Sequence, residues 1–108
     1  MLDIRIDPLA DEDFDFIFHH YAVERDAPLA AITISDALTA TIRYVLAAQP
    51  DMGWPCKVLD FKGRAFLVER SHYIFYQVFE DHILIGRVIA ARLIRDWRSL
   101  RLATLQKP

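Results

Sequence analysis

In the second half of the chain only three polar dipeptides, Lys62-Gly63, Ser71-His72 and Glu80-Asp81, separate four runs rich in aromatic and β-branched residues. The runs are Val58–Phe61, Arg64–Arg70, Tyr73–Phe79 and His82–Ile89, each with the composition of a half-buried strand. Links this short join only antiparallel neighbours, because a parallel crossover needs about a dozen residues or more. The second half is therefore predicted to form an antiparallel meander of about four strands.

The first half keeps a different period. Leu2, Ile4 and Ile6 alternate as in a short strand, and Asp7-Pro8 follows with an N-cap residue and a proline suited to the first helical position. Phe14, Ile17, Phe18 and Tyr21 then recur at helical spacing, with Asp11, Glu12, Asp13 and Asp15 adding favourable negative charge to the opening turns. This helix is expected to reach about Arg25. Asp26-Ala27-Pro28 repeats the punctuation, and Ala31, Ile34, Leu38, Ile42 and Val45 or Leu46 carry a second helix to Gln49-Pro50. Two helices with so short a link form an antiparallel hairpin, whose apolar faces can pack on the meander. The expected fold is α+β: an N-terminal strand, a helix hairpin and a mainly antiparallel sheet of four to five strands. Beyond Ile89, the spacing of Leu93, Trp97 and Leu100, with Arg92, Arg95, Arg98 and Arg101 between them, predicts a basic C-terminal helix or arm.

With 108 residues, 54% of them hydrophobic, the chain is expected to be one domain over 1–108. The single cysteine, Cys56, suits a reducing compartment and offers no thiol cluster for a metal. The opening MLDIRIDPLADED is acidic where a signal peptide is basic and then apolar. No stretch approaches the roughly 20 apolar residues of a membrane span, so a cytoplasmic address without membrane contact is expected. The net charge of −2 hides an asymmetry: residues 1–54 carry 3 basic and 10 acidic side chains, residues 55–108 carry 10 and 5. Either the C-terminal half faces an anionic partner, or the two halves pair with each other.

The order strand, helix hairpin, meander resembles the ParE/RelE superfamily of toxins from type II toxin–antitoxin systems, also known as plasmid stabilisation proteins. The resemblance covers about residues 3 to 98 and is nearer ParE than RelE. Ala10, Asp13, Ile17 and Tyr21 resemble its first-helix pattern, and Leu38, Ile42 and Leu46 running into Pro50-Asp51-Met52-Gly53 resemble the end of its second. Arg64-Ala65-Phe66-Leu67-Val68, Tyr73-Ile74-Phe75-Tyr76-Gln77-Val78 and Ile83-Leu84-Ile85-Gly86-Arg87-Val88 resemble three of its strands.

The resemblance implies one of two growth-inhibiting activities. ParE-type members poison DNA gyrase by protein–protein contact, without chemistry of their own. RelE-type members cleave messenger RNA on the ribosome, which takes a base, an acid and cations around the phosphate. For the RNase reading the candidates are Arg64, Arg87, Tyr73 and Tyr76. The histidine that many relatives carry just after the "RV" strand is replaced here by Ala90-Ala91. That substitution and a pI near 6.0 favour the ParE reading, because ribosome binding draws on many cationic contacts. Its candidate partner contacts are Arg87, Arg92, Arg95, Trp97 and Arg98. A third reading is a member without toxicity that still binds its antitoxin.

All three readings imply a cognate antitoxin and a toxin–antitoxin hetero-oligomer, and none calls for a cofactor or metal. The histidines are His19, His20, His72 and His82; His19 and His20, being adjacent, are expected to point apart. The structural alternative for Arg64 and Arg87 is ion pairing across the sheet with Glu69, Glu80 or Asp81.

Overall fold

The computed structural model describes residues 1–56 and 63–94. The expected strand Val58–Phe61, Arg95, Trp97, Arg98, Arg101 and the predicted C-terminal arm lie outside the described residues. Strand β1 (Asp3–Ile6) leads directly into helix α1 (Pro8–His19), which continues as one π-helical turn over His20–Glu24. Helix α2 (Pro28–Ala40) likewise ends in a π-helical stretch, Thr41–Leu46. Strands β2 (Trp54–Cys56), β3 (Gly63–Val68), β4 (His72–Val78) and β5 (His82–Ala90) follow, and a 3-10 turn covers Ala91–Leu93.

The strands form one sheet in the order β1-β5-β4-β3-β2. The meander is antiparallel throughout, while β1 lies parallel beside β5 and pairs with it from His82 to Ile85 only. The α+β architecture expected from the sequence is the one observed. One difference is that Trp54–Cys56, outside the runs expected to be strands, is the edge strand. Pro55 is tolerated there because an edge position leaves its missing N–H without consequence.

Each helix start shows its local cause. The Asp7 carboxylate accepts from the Leu9 N–H at 2.9 Å, with Pro8 at the first helical position. The second start differs from its sequence analogue, since Ala27 is the cap residue and Asp26 adopts a left-handed φ of 50° in the link. The core face of α1 runs through Ala10, Phe14, Ile17 and Tyr21; Phe18, expected on that face, is exposed. The residues expected to face inward on α2 do so, with Ala31, Leu38, Ile42 and Leu46 buried and Ile34 and Val45 packed beside the core. Pro28–Leu46, 19 residues, is long and apolar enough to cross a membrane by length and composition, contrary to the sequence expectation. Its buried stripe, and Asp36 and Arg43 along it, are those of a helix laid on a sheet.

The helices cover one sheet face, where Ile74, Tyr76, Ile83, Ile85 and Val88 meet the buried residues of the hairpin. On β5 the inward positions change parity between Ile85 and Val88, because Phe75 pairs with Arg87 while Tyr76 pairs with Ile85 and Gly86 bulges out. Such a bulge re-aims the residue beside it, here Arg87. The β3–β4 turn falls at Glu69-Arg70, two residues earlier than Ser71-His72. Both residues have positive φ (49° and 59°), and the Ser71 N–H closes the turn on the Val68 carbonyl at 2.9 Å. The mirror-image turn matches the twist of a hairpin, and it is made without the usual Asn-Gly.

Candidate functional site

Past Ile85 the outer edge of β5 has no strand beside it among the described residues, and helix α1 crosses there. Asp13 from that helix reaches down to the edge. Its carboxylate accepts from Arg87 Nε at 2.7 Å, from Arg87 Nη2 at 3.0 Å and from the Val88 N–H at 2.9 Å. The hydrogen bond from Arg87 to Asp13 is the largest reason why the guanidinium pKa rises further above its ordinary value. Arg87 thus has a partner, though one on α1 and not among Glu69, Glu80 and Asp81. The pair joins the acidic and basic halves of the chain. Asp13 was legible as an acid on the apolar face Ala10-Asp13-Ile17-Tyr21, and a carboxylate facing a core demands a cation.

Arg64 and Tyr76 act together at the other end of the sheet. The Tyr76 hydroxyl donates to the Pro50 carbonyl at 2.8 Å and accepts from the Gly53 N–H at 2.9 Å. Arg64 Nη1 donates to the Asp51 carbonyl at 3.3 Å and to the Gly53 carbonyl. Two of the side chains assigned to RNA chemistry thereby fasten the loop Pro50–Gly53 onto the sheet. Burial pushes the Tyr76 phenol above its ordinary pKa, so it stays protonated and able to donate. Tyr73 faces the opposite side of the sheet, half-buried, with Trp54 edge-on at 5.7 Å and Phe75 at 6.0 Å. The structure therefore brings Arg64 and Tyr76 together and leaves Tyr73 and Arg87 elsewhere.

The π-helical turn gathers side chains that sequence spacing separated. His19 Nδ1 and His20 Nδ1 both approach the Glu24 carboxylate, at 3.4 Å and 3.3 Å, instead of pointing apart. Arg92 is exposed, with Nη2 at 3.4 Å from His20 Nε2. Among the described residues, no three His, Cys, Asp or Glu side chains gather as a metal site would require. His72 lies directly across the ladder from Ala90, so an imidazole does sit beside the position where relatives carry one.

His72 is 1% exposed, and burial first, then the Arg92 charge, lowers its pKa below 6.5. The unfolded chain therefore binds the proton more readily. Stability from this group is complete above about pH 6.5 and falls as the pH drops from there towards the lower folded value. The thermal midpoint of the wild type is expected to drop more between about pH 7 and pH 5 than that of His72→Gln. Equal slopes in the two proteins would remove His72 as the cause.

The family model for the ParE toxin of the type II toxin–antitoxin system parDE matches residues 4–94. The chain belongs to the ParE toxin family. A solved structure titled as the chromosomal ParDE toxin–antitoxin system from P. aeruginosa is similar to it, with 22% sequence identity and a TM-score of 0.68, covering 83% of this chain and 96% of that one. At that identity the likeness establishes the ParE fold. No curated protein matches the chain.

Proposed function

We propose that this ParE-family chain is a cytoplasmic toxin that inhibits DNA gyrase by direct contact and is neutralised by a cognate antitoxin. The observation that carries the reading is the ParE family match over residues 4–94. The site chemistry supports it. Arg64 and Tyr76 are committed to the Pro50–Gly53 loop and Arg87 to Asp13, so three of the four RNase candidates already hold the fold together. Inhibition by contact needs shape and charge at the surface, not a free base. On this reading exposed Arg92, with Arg95, Trp97 and Arg98 beyond it, presents the charge, and Arg87 supports that end of the sheet.

Induction of the chain alone in a bacterium is expected to stop thymidine incorporation before methionine incorporation, and the purified protein to block gyrase supercoiling. Co-expression of the protein encoded beside it should restore growth. Methionine incorporation failing first, with mRNA cut inside codons, would replace this reading with a ribosome-dependent RNase. Undisturbed growth, with the adjacent product still bound, would leave a non-toxic antitoxin-binding module.

A further inference from the structure

Between helix α1 and the edge of β5 past Ile85 lies a groove of about 360 Å³. Ile17 and Val88 are buried beneath it, while Phe16 and Leu93, 60% and 55% exposed, stand at its sides. The π-helical turn and the 3-10 turn after β5 bring His20 and Arg92 to it, and His72 lines it from β4. Of the carboxylates nearby, Asp13 is engaged by Arg87 and Glu24 by His19 and His20, while Glu12 lines the groove without an ion pair among the described residues. Arg92 has no carboxylate partner among the described residues.

His72 supplies the second observation. The Ser71 hydroxyl donates to the Val68 carbonyl at 3.1 Å, so its oxygen is left to accept from His72 Nδ1 at 2.9 Å. The neutral ring therefore carries its proton on Nδ1 and leaves Nε2 as a bare lone pair. Among the described residues Nε2 has no hydrogen-bond partner, though the side chain is almost wholly buried. A buried acceptor with no donor is costly, and it is unusual enough to need a cause.

We propose that this groove receives an acidic side chain of a bound peptide, with the carboxylate on Arg92 and flanking apolar side chains on Phe16 and Leu93, and that seating it is coupled to proton uptake by His72. The Tyr21 ring lies 6.3 Å from the His72 ring, with His20 beyond it, and Ala90 faces His72 from β5. Of the charged groups around the groove, Arg92 is the one whose field acts on His72. A carboxylate that neutralises Arg92 removes that repulsion without touching the imidazole. The proton then binds more readily, and by linkage the peptide binds more tightly as the pH falls. Only the peptide's source, an acidic stretch of the antitoxin, rests on the proposed function.

The test uses the full chain and two blocked peptides, Ac-Leu-Glu-Leu-Leu-NH2 and its Gln counterpart, titrated by NMR. The Glu peptide is expected to shift the resonances of Phe16, Arg92 and Leu93, and to bind roughly five-fold more tightly at about pH 6 than at about pH 7.5. His72→Gln should abolish that pH dependence and keep the binding, and Arg92→Glu should abolish the preference for Glu over Gln. Equal binding of the two peptides, or shifts confined to other surfaces, would overturn the groove; pH-independent binding to the wild type would overturn the coupling. Neither readout needs toxicity, so a chain that fails to stop growth but binds the Glu peptide supports the inference alone. A toxic chain whose antitoxin complex ignores Arg92→Glu refutes the inference and keeps the toxin.

Discussion

Asp13→Ala is expected to lose about 3 kcal/mol of folding stability, measured by urea denaturation, because one carboxylate satisfies three donors at the edge of β5 where α1 crosses it. The side chains of Asp13 and Arg87 are only 15% and 26% exposed, so water replaces their contacts poorly. Removing the acid leaves a partly buried guanidinium without its partner and strips the Val88 N–H of its acceptor. Asp13→Asn should fall between, since an amide oxygen still accepts from Val88 but carries no charge. The double variant Asp13→Leu/Arg87→Met should recover much of the loss, because the largest cost is the orphaned charge and not the missing attraction. A loss under about 1 kcal/mol for Asp13→Ala would mean that the pair behaves as a solvated surface bridge. The result bears on function as well. An Arg87→Ala protein that no longer arrests growth has lost a structural strut, so its phenotype does not identify a gyrase contact until its stability has been measured.

The same pair shows what was legible in the sequence and what was not. Element types followed from local causes: proline and aspartate at the helix starts, period 2 against period 3.6, and links too short for a crossover. The parallel β1–β5 pairing was not legible, because Leu2-Asp3-Ile4-Arg5-Ile6 has the same alternation whichever neighbour it takes. Boundaries failed where the backbone left its regular form. The π-helical turn over His20–Glu24 inserts a residue that a 3.6-residue period does not count, which is how His19 and His20 came to be expected apart, whereas Phe18 lies before it, at the margin of a buried stripe narrower than the spacing suggested. The β3–β4 turn slipped by two residues because Glu69 and Arg70 take left-handed conformations that residues of their type rarely adopt. At the site, Arg64, Tyr76 and Arg87 were singled out for chemistry by residue type and by their place in strands that resemble the family's. Their partners are one backbone loop, Pro50–Gly53, and a helix residue 74 positions away, and those follow from tertiary proximity that no spacing rule encodes.

Gly53→Ala is expected to cost about as much as losing Asp13, roughly 3 kcal/mol, by a different route. A Cβ at position 53 would lie 2.6 Å from the Tyr76 hydroxyl oxygen and 2.7 Å from the Ala65 carbonyl oxygen. Neither can step aside cheaply. Ala65 sits in the middle of β3, held between Trp54 of β2 and Phe75 of β4, and the Tyr76 hydroxyl is fixed by Pro50 and Gly53. The alanine therefore either opens the β2–β3 pairing or breaks the phenol's grip on the loop. Tyr76→Phe removes only the hydroxyl and should cost about 1–2 kcal/mol, the penalty of leaving the Gly53 N–H and the Pro50 carbonyl without that partner. In the double variant the clash with the phenol is gone while the one with the Ala65 carbonyl persists, so the two losses should add to less than their sum. Denaturation of the three proteins decides it: strict additivity would mean that Gly53 and Tyr76 do not share a contact. A Gly53→Ala protein as stable as the wild type would show that the loop leaves the sheet without cost, and Arg64 and Tyr76 would then be free for a role beyond holding it.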